Sequence, residues 1–481
     1  MNYRVILRVL GFIVLAVGVA IVPAALLSLI DHTFDRLALG LSSVICIGTG
    51  LGVLISTRGE LDLRIREGFA IVSFGWLVAG AAGGLPYWIA GLCTNPVDSF
   101  FESVSGFTTT GATVLVDLDS LPRGILLWRS LTQWVGGMGI VLLSVAVLPM
   151  LGVGGMQLFK AEVPGPTADR LSPRIQSTAK ILWGVYVGIT AAEAVLLMFG
   201  GMGPFEAFCH SFTTVSTGGF STRDASVGGF DSIYVELVII FFMFISGANF
   251  SLHYWLLRGH WRRYWGNEEF RLYSIITGIS IIGLWIAVQV HISGSIFHPP
   301  RVAAFTTVSI MTTTGFGSAD YLLWGFGAQM AIFVLMFLGG CAGSTAGGIK
   351  AMRLELLAKH LWRVMKRVLH PRAVYTIRHS RTIVADEVLM NVLGFFLAYI
   401  VIYVGATVIV TGMGVDLVTA MGATASTLGN VGPGLGEVGP TTTYAGLPLA
   451  AKFLLALCMV LGRLEIFTML VVMTPMFWRK V

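Results

Sequence analysis

The stretch TTTGAT (108–113) sets a hydroxyl-rich, glycine-centred phrase between two long apolar runs. Phrases of the same kind recur as VSTGGF (215–220), TTTGFG (312–317) and STLGNV (426–431). Their central glycines are read as Gly111, Gly218, Gly315 and Gly429. Phe101, Phe208 and Phe305 each stand ten residues before their glycine, with Thr419 in that place in the fourth unit. Ahead of each phrase lies a segment of about 12–14 residues, at 98–110, 204–217, 300–314 and 416–428, too short to cross a bilayer core and suited to a re-entrant helix. Asp98 after Pro96, Pro204 before Glu206, Pro299 with Pro300, and Asp416 supply the helix-start signals. A recurrence of this kind fixes the architecture before any local motif does.

The surroundings are those of a membrane. Of 481 residues, 55% are hydrophobic and only 12% charged, with a mean hydropathy of +0.82; soluble domains carry roughly 25% charged residues. Ten apolar stretches are long enough to span, at 5–30, 37–57, 68–92, 124–150, 178–200, 231–257, 269–296, 323–349, 383–412 and 447–478. The first follows Arg4 and Arg8 and exceeds the apolar length of a signal peptide, so an uncleaved helix is expected. The five cysteines (Cys46, Cys93, Cys209, Cys341, Cys458) have neither paired nor metal-ligand spacing. The fold class that follows is an all-α polytopic membrane protein: four helix–pore-helix–helix repeats in pseudo-fourfold arrangement around one ion pathway, plus two extra N-terminal helices. The expected divisions are 1–67 (helix pair), 68–150, 151–258, 259–381 and 382–481 (repeats 1 to 4).

The net charge of +6 is a matter of topology rather than of nucleic acid. With the N-terminus inside, the cytoplasmic side collects Arg4, Arg8, the arginines of 58–66, Lys160 to Lys180, Arg258 to Arg271, Lys350 to Arg381, Arg479 and Lys480. The four loops then fall on the outer side, among acids such as Asp98, Glu102, Glu206 and Asp416 that would draw cations to a pore mouth. Irregular backbone at membrane depth survives only where it is buried in protein or lines water. Four loops facing one axis meet that condition, and their carbonyl oxygens can replace the hydration shell of a cation. Carbonyl rings without carboxylates suit a large monovalent ion. The candidate ion-binding residues are Thr109, Thr110 and Gly111; Ser216, Thr217 and Gly218; Thr313, Thr314 and Gly315; Thr427, Leu428 and Gly429. Leu428 breaks the threonine-before-glycine pattern, so coordination is expected to be imperfect there.

LGGCAGSTAGGIK (338–350) interrupts the eighth stretch with five glycines. Glycine inside a helix costs about 1 kcal/mol relative to alanine, so a broken helix is expected, with close packing through small residues as the other reading. There is no G-x-x-x-x-G-K-[ST] pattern for a phosphate cradle. Arg463 lies in the last stretch with no acid at i±3 or i±4, and an intramembrane charge faces a cavity or a partner on another helix. It is expected beneath the four loops, near 339–348, as a barrier to cations, with a structural ion pair to a distant acid as the other reading. Glu193 is likewise intrahelical and has no assigned role. The basic stretch KHLWRVMKRVLHPR (359–372) is amphipathic and suits membrane lipids on the cytoplasmic side.

SVSGFTTTGAT, HSFTTVSTGGF, TTTGFGSADY, STLGNVGPGLG, GGCAGSTAGGIK and LGRLEIFT together resemble the Trk/Ktr/HKT potassium transporters, and the N-terminal helix pair resembles the Trk branch. The resemblance implies potassium uptake across a bacterial cytoplasmic (inner) membrane, with N- and C-termini cytoplasmic. It makes the glycine loop a gate, built from Gly340, Gly343, Ser344, Thr345, Gly347 and Gly348 with Arg463. It also implies a homodimer and a cytosolic TrkA-like nucleotide-binding regulatory ring. In the family, glycine in all four loops goes with potassium and serine in the first with sodium. No cofactor is expected, potassium being the substrate, and no catalytic residue or nucleic-acid partner. The alternative is a sodium- or proton-coupled potassium symporter, which would need paired intramembrane carboxylates. A membrane-embedded enzyme would need clustered His, Asp or Cys at membrane depth.

Overall fold

Four short helices, Pro96–Phe107, Pro204–Val215, Pro299–Met311 and Leu417–Gly429, set the plan of the molecule. Three begin on proline, whose missing N–H falls where a helix would leave that donor unsatisfied. The fourth is capped by Asp416, whose carboxylate accepts the Thr419 N–H at 2.8 Å. At 12 or 13 residues each runs roughly 18–20 Å, well short of a bilayer core. The computed structural model describes residues 1–58, 65–142, 175–291, 299–380 and 382–479.

Each short helix lies between two others, all but one of them longer than it. Ile65–Ile89 and Arg123–Leu142 enclose the first, and Ile175–Phe199 and Ile233–Ser246 the second. Glu268–His291 and Phe326–Leu335 enclose the third, and Asp386–Gly412 and Leu449–Arg463 the fourth. Ahead of the repeats, Tyr3–Ile30 and Arg36–Ser56 pack against each other through small residues. A Cβ on Gly50 would lie 2.8 Å from the Leu15 amide nitrogen, so only glycine lets the two backbones meet. One two-residue antiparallel pair, Arg378–His379 with Thr382–Ile383, is the sheet among the described residues.

Burial is inverted relative to a soluble domain. Leu37, Ile279, Phe326 and Leu397 are exposed on the outer faces, while Thr108, Thr109, Thr110, Thr217, Thr313 and Thr314 are fully buried at the centre. An apolar rim around a hydroxyl-lined axis is the arrangement lipid selects, and the protein is a multi-pass membrane protein.

Ten straight spans are not found. Among the described residues six helices are long and apolar enough to cross. Two expected spans are bent pairs: Ile233–Ser246 with Phe250–Leu257 at 104°, and Leu449–Arg463 with Phe467–Met473 at 119°. The second break carries Glu465 and Ile466 at positive φ, and Arg463 is the last residue of its helix rather than a mid-span charge. Phe326–Leu335 stops after ten residues, where the glycine-rich stretch begins. The end of the stretch at 124–150, the boundary at 150–151, Lys160, Arg381, Lys480 and most of 58–66 lie outside the described residues.

Candidate functional site

After each short helix the chain turns through the same conformation, and that conformation fixes the register of the repeat. Thr109, Thr217, Thr313 and Asn430 all adopt left-handed backbone, at φ 51°, 53°, 55° and 53°. The next residue donates its N–H five residues back: Thr110 to Ser105 O (2.9 Å), and Gly218 to Thr213 O, Thr314 to Ser309 O and Val431 to Ser426 O (2.8 Å each). A positive-φ glycine follows in every case: Gly111, Gly219, Gly315 and Gly432.

This corrects two of the four loops as read from sequence. In the second, the glycine equivalent to Gly111 is Gly219, not Gly218, and Ser216 is the helix cap that matches Thr108. In the fourth it is Gly432, not Gly429; Thr427, Leu428 and Gly429 complete the last turn of their helix. The supposed defect at Leu428 therefore disappears, because the residues in the loop are Asn430, Val431 and Gly432. The shift also explains Phe208, which is exposed whereas Phe101 and Phe305 are fully buried. In the true register Cys209, which is buried, takes the phenylalanine position.

The four glycines close a ring. A Cβ on Gly432 would stand 2.7 Å from the Thr110 carbonyl oxygen. Those on Gly111, Gly219 and Gly315 would press still closer on the carbonyls of Gly218, Thr314 and Val431. Each loop thus packs on the next, and the fourth returns to the first. Asn430 reinforces the last junction, its Nδ2 donating to Thr110 Oγ1 and to Met459 O, both at 2.9 Å. Arg129 reinforces the first: it contacts Glu102 Oε1 at 2.9 Å, Ser221 O at 3.1 Å and Thr113 Oγ1 at 3.2 Å, with its guanidinium 4.2 Å from the Phe220 ring. Glu102 also accepts from Val114 N at 2.9 Å, and both charges are buried. Four of the outer acids are engaged within the protein: Glu102 holds Arg129, Asp98 holds Lys452, Glu206 holds Arg223, and Asp416 caps a helix.

The segment 338–350 lies against the C-terminal ends of these helices. Gly339 N donates to Ile349 O at 2.9 Å and Ile349 N to Phe337 O at 3.0 Å, closing it at the base. Thr345 Oγ1 donates to Val215 O (3.0 Å), Gly347 N to Thr313 Oγ1 (2.6 Å), and Arg463 Nη1 to Thr345 O (2.7 Å). Gly343 and Gly348 have positive φ, Ser344 Oγ bonds Cys341 O, and a Cβ on Gly340 would lie 2.5 Å from Gly247 O. Glu269 accepts from Ala342 N at 2.6 Å and Met352 N at 3.2 Å, tying both sides of the segment to Glu268–His291. Arg353 pairs with Glu465. Glu193 is buried, with neither carboxylate oxygen hydrogen-bonded among the described residues.

The amphipathic helix Ala351–Leu369 carries a charged knot outside the spans. Lys359 Nζ contacts Glu268 at 2.9 Å and Glu355 at 2.5 Å, and His379 Nδ1 lies 3.0 Å from Glu355 Oε2. Glu268, Glu355 and His379 are metal-ligating types, but the Lys359 ammonium already sits among them. Burial would raise the Glu355 carboxyl, yet His379 and Lys359 outweigh it and hold it down at about 2. Burial would lower His379, yet Glu355 outweighs it and lifts the imidazole above its ordinary value. Arg129, Asn430 and Glu269 were not singled out from sequence, and Glu102 was read only as an outer acid; an arginine inside an apolar run was the one signal available.

The model of the family described as TrkH, cation transport protein, matches residues 35–480. The chain belongs to the TrkH family. It is 43% identical to the Trk system potassium uptake protein TrkH of Halomonas elongata and 41% identical to that of Escherichia coli strain K12, each over the whole of both chains. It also resembles the crystal structure of the potassium transporter TrkH from Vibrio parahaemolyticus, at a TM-score of 0.91 and 39% identity over the whole of both chains.

Arg129→Met should cost about 3–5 kcal/mol by leaving Glu102 charged and unpaired. Thermal melting in detergent measures it, and Glu102→Gln added to Arg129→Met should recover part of the loss. The charged knot predicts a pH effect. The His379 contribution is whole below the ordinary histidine value and lost as pH rises through the raised one. The Glu355 contribution is present above the ordinary carboxylate value and lost only towards about 2. The melting temperature of the wild-type protein should therefore approach that of a His379→Asn variant as pH rises from about 6 to about 8. A gap that stays constant over that range contradicts the pairing.

Proposed function

We propose that this chain takes up potassium across the bacterial cytoplasmic membrane through a gated, channel-like path. Its selectivity filter would be the ring of Thr110, Gly218, Thr314 and Val431 carbonyls. The closure of four equivalent loops about one axis carries this reading. Four oxygens held by glycine-to-carbonyl contacts cannot collapse onto a smaller ion without breaking the ring. The short helices all end at the loops, so their negative dipole ends add to the attraction for a cation. Thr109 adds a buried hydroxyl with no hydrogen-bond partner among the described residues, as an oxygen reserved for an ion would have.

The gate would be the segment 338–350, including Gly340, Gly343, Ser344, Thr345, Gly347 and Gly348, with Arg463 as its electrostatic element. Arg463 supports this by its bond to Thr345 O. The helix end beneath it favours the positive charge, and the charge opposes a cation on the axis. In this reading the termini are cytoplasmic and four repeats follow a helix pair. The protein works as a homodimer, and a TrkA-like ring acts on the cytoplasmic face, where Ala351–Leu369 continues directly from the gate segment. No residue is assigned a catalytic role and no cofactor is assigned.

Gly111→Ser should reduce discrimination of potassium over sodium in proteoliposome flux, because the side chain would displace the Gly218 carbonyl. Unchanged selectivity in a folded protein contradicts the filter. Arg463→Ala should raise potassium flux at unchanged selectivity. Wild-type rates in that variant contradict a barrier at Arg463, and flux driven by one ion's gradient alone rejects coupling.

A further inference from the structure

The second loop differs from the other three at one position. Thr110, Thr314 and Val431 bring a side chain to the residue whose carbonyl joins the ring; Gly218 brings none. In the first and third loops that side chain braces the turn, with Thr110 Oγ1 2.8 Å from Thr108 Oγ1 and Thr314 Oγ1 2.8 Å from Thr312 Oγ1. Ser216 and Gly218 cannot form such a pair.

The missing brace comes from another helix. Gln133, on Arg123–Leu142, is fully buried. Its Nε2 donates to Gly218 O at 2.7 Å, and its Oε1 accepts from Phe220 N at 3.0 Å. A Cβ on Gly218 would lie 2.9 Å from Gln133 Cγ and nearer still to the amide, so the side chain occupies the space a residue at 218 would fill.

The repeat shows that this arrangement is a local replacement. The segments that follow the loops carry QWVGG (133–137), MFISG (243–247), MFLGG (336–340) and MVLGR (459–463). Gly136 and Gly462 stand in the same place, since a Cβ on either would strike the carbonyl of Phe107 or Leu428, each four residues before its ring glycine. Gln133 is thus matched by Met243, Met336 and Met459, all fully buried. A methionine offers no N–H, and at 133 it could neither hold the Gly218 carbonyl nor satisfy Phe220 N.

We propose that Gln133 is a positioning residue for ion selection: it supplies from outside the second loop the brace that the first and third loops build internally, and fixes the Gly218 carbonyl in the ring. Gln133 and Gly218 act as a pair. A side chain at 218 needs 133 to give way, and an unbraced carbonyl admits the closer approach that a smaller ion requires. This rests on the filter reading above.

The test is potassium and sodium flux in proteoliposomes with full-length protein. Gln133→Glu keeps the shape but loses its donor once ionised. Its discrimination of potassium over sodium should fall by about three- to tenfold as pH is raised, a dependence the wild type lacks. Gln133→Met should show the loss at every pH, and Gly218→Thr alone should show it through overlap with Gln133. Gly218→Thr combined with Gln133→Met should recover discrimination towards wild type. Wild-type selectivity at all pH values in folded Gln133→Glu, or additive losses in the double variant, overturns the proposal. Gly111→Ser in the same assay separates the two readings: if it loses selectivity while Gln133→Glu does not, only the positioning role fails, and if neither does, the filter itself fails.

Discussion

The contact between a left-handed glycine and the carbonyl of the neighbouring loop governs this structure. It occurs four times and closes on itself, so no loop can shift without displacing the next. The αL threonines that precede the glycines are held at a cost on the order of 1–3 kcal/mol each. Surrounding structure must hold them there, and every long helix and buried ion pair nearby contributes to that end. The short helices fix where the loops start; the proline and aspartate caps fix where the short helices start.

What holds the ring from behind differs from quarter to quarter. An ion pair and a cation–π contact brace the junction of the first and second loops, and an asparagine amide the junction of the fourth and first. A hydroxyl pair stiffens the first loop and the third. The third also receives an N–H from the segment beneath it. The same backbone result is reached by unlike side chains, which is what a four-unit scaffold permits once its units share one polypeptide.

Most of the plan was legible in the sequence because apolar length, proline starts and glycine recurrence are local signals. The register was not. Matching on hydroxyl-then-glycine chose Gly218 over Gly219 because the second loop has both, and Gly429 over Gly432 because the fourth helix keeps Gly429 in its own last turn. Only the five-residue return bond and the αL turn distinguish them, and in the fourth unit Asn430 adopts that turn where the others use threonine. The helix breaks at Gly247 and Glu465 were invisible for a similar reason: the apolar run continues through them. Glu269 was not singled out because nothing nearby in sequence shows that it reaches two backbone amides about 80 residues away.

Arg463 occupies the position that Gly137, Gly247 and Gly340 hold in the other units. A tetramer of identical chains has only two choices at such a place, four guanidiniums or none. Four would put mutually repelling charges around one axis, and none would leave it neutral. Fusing the quarters into a single polypeptide makes an odd number accessible, so one positive charge can be set off-centre against the one segment that bonds it. Asymmetry here is a chemical resource that oligomeric symmetry would forbid.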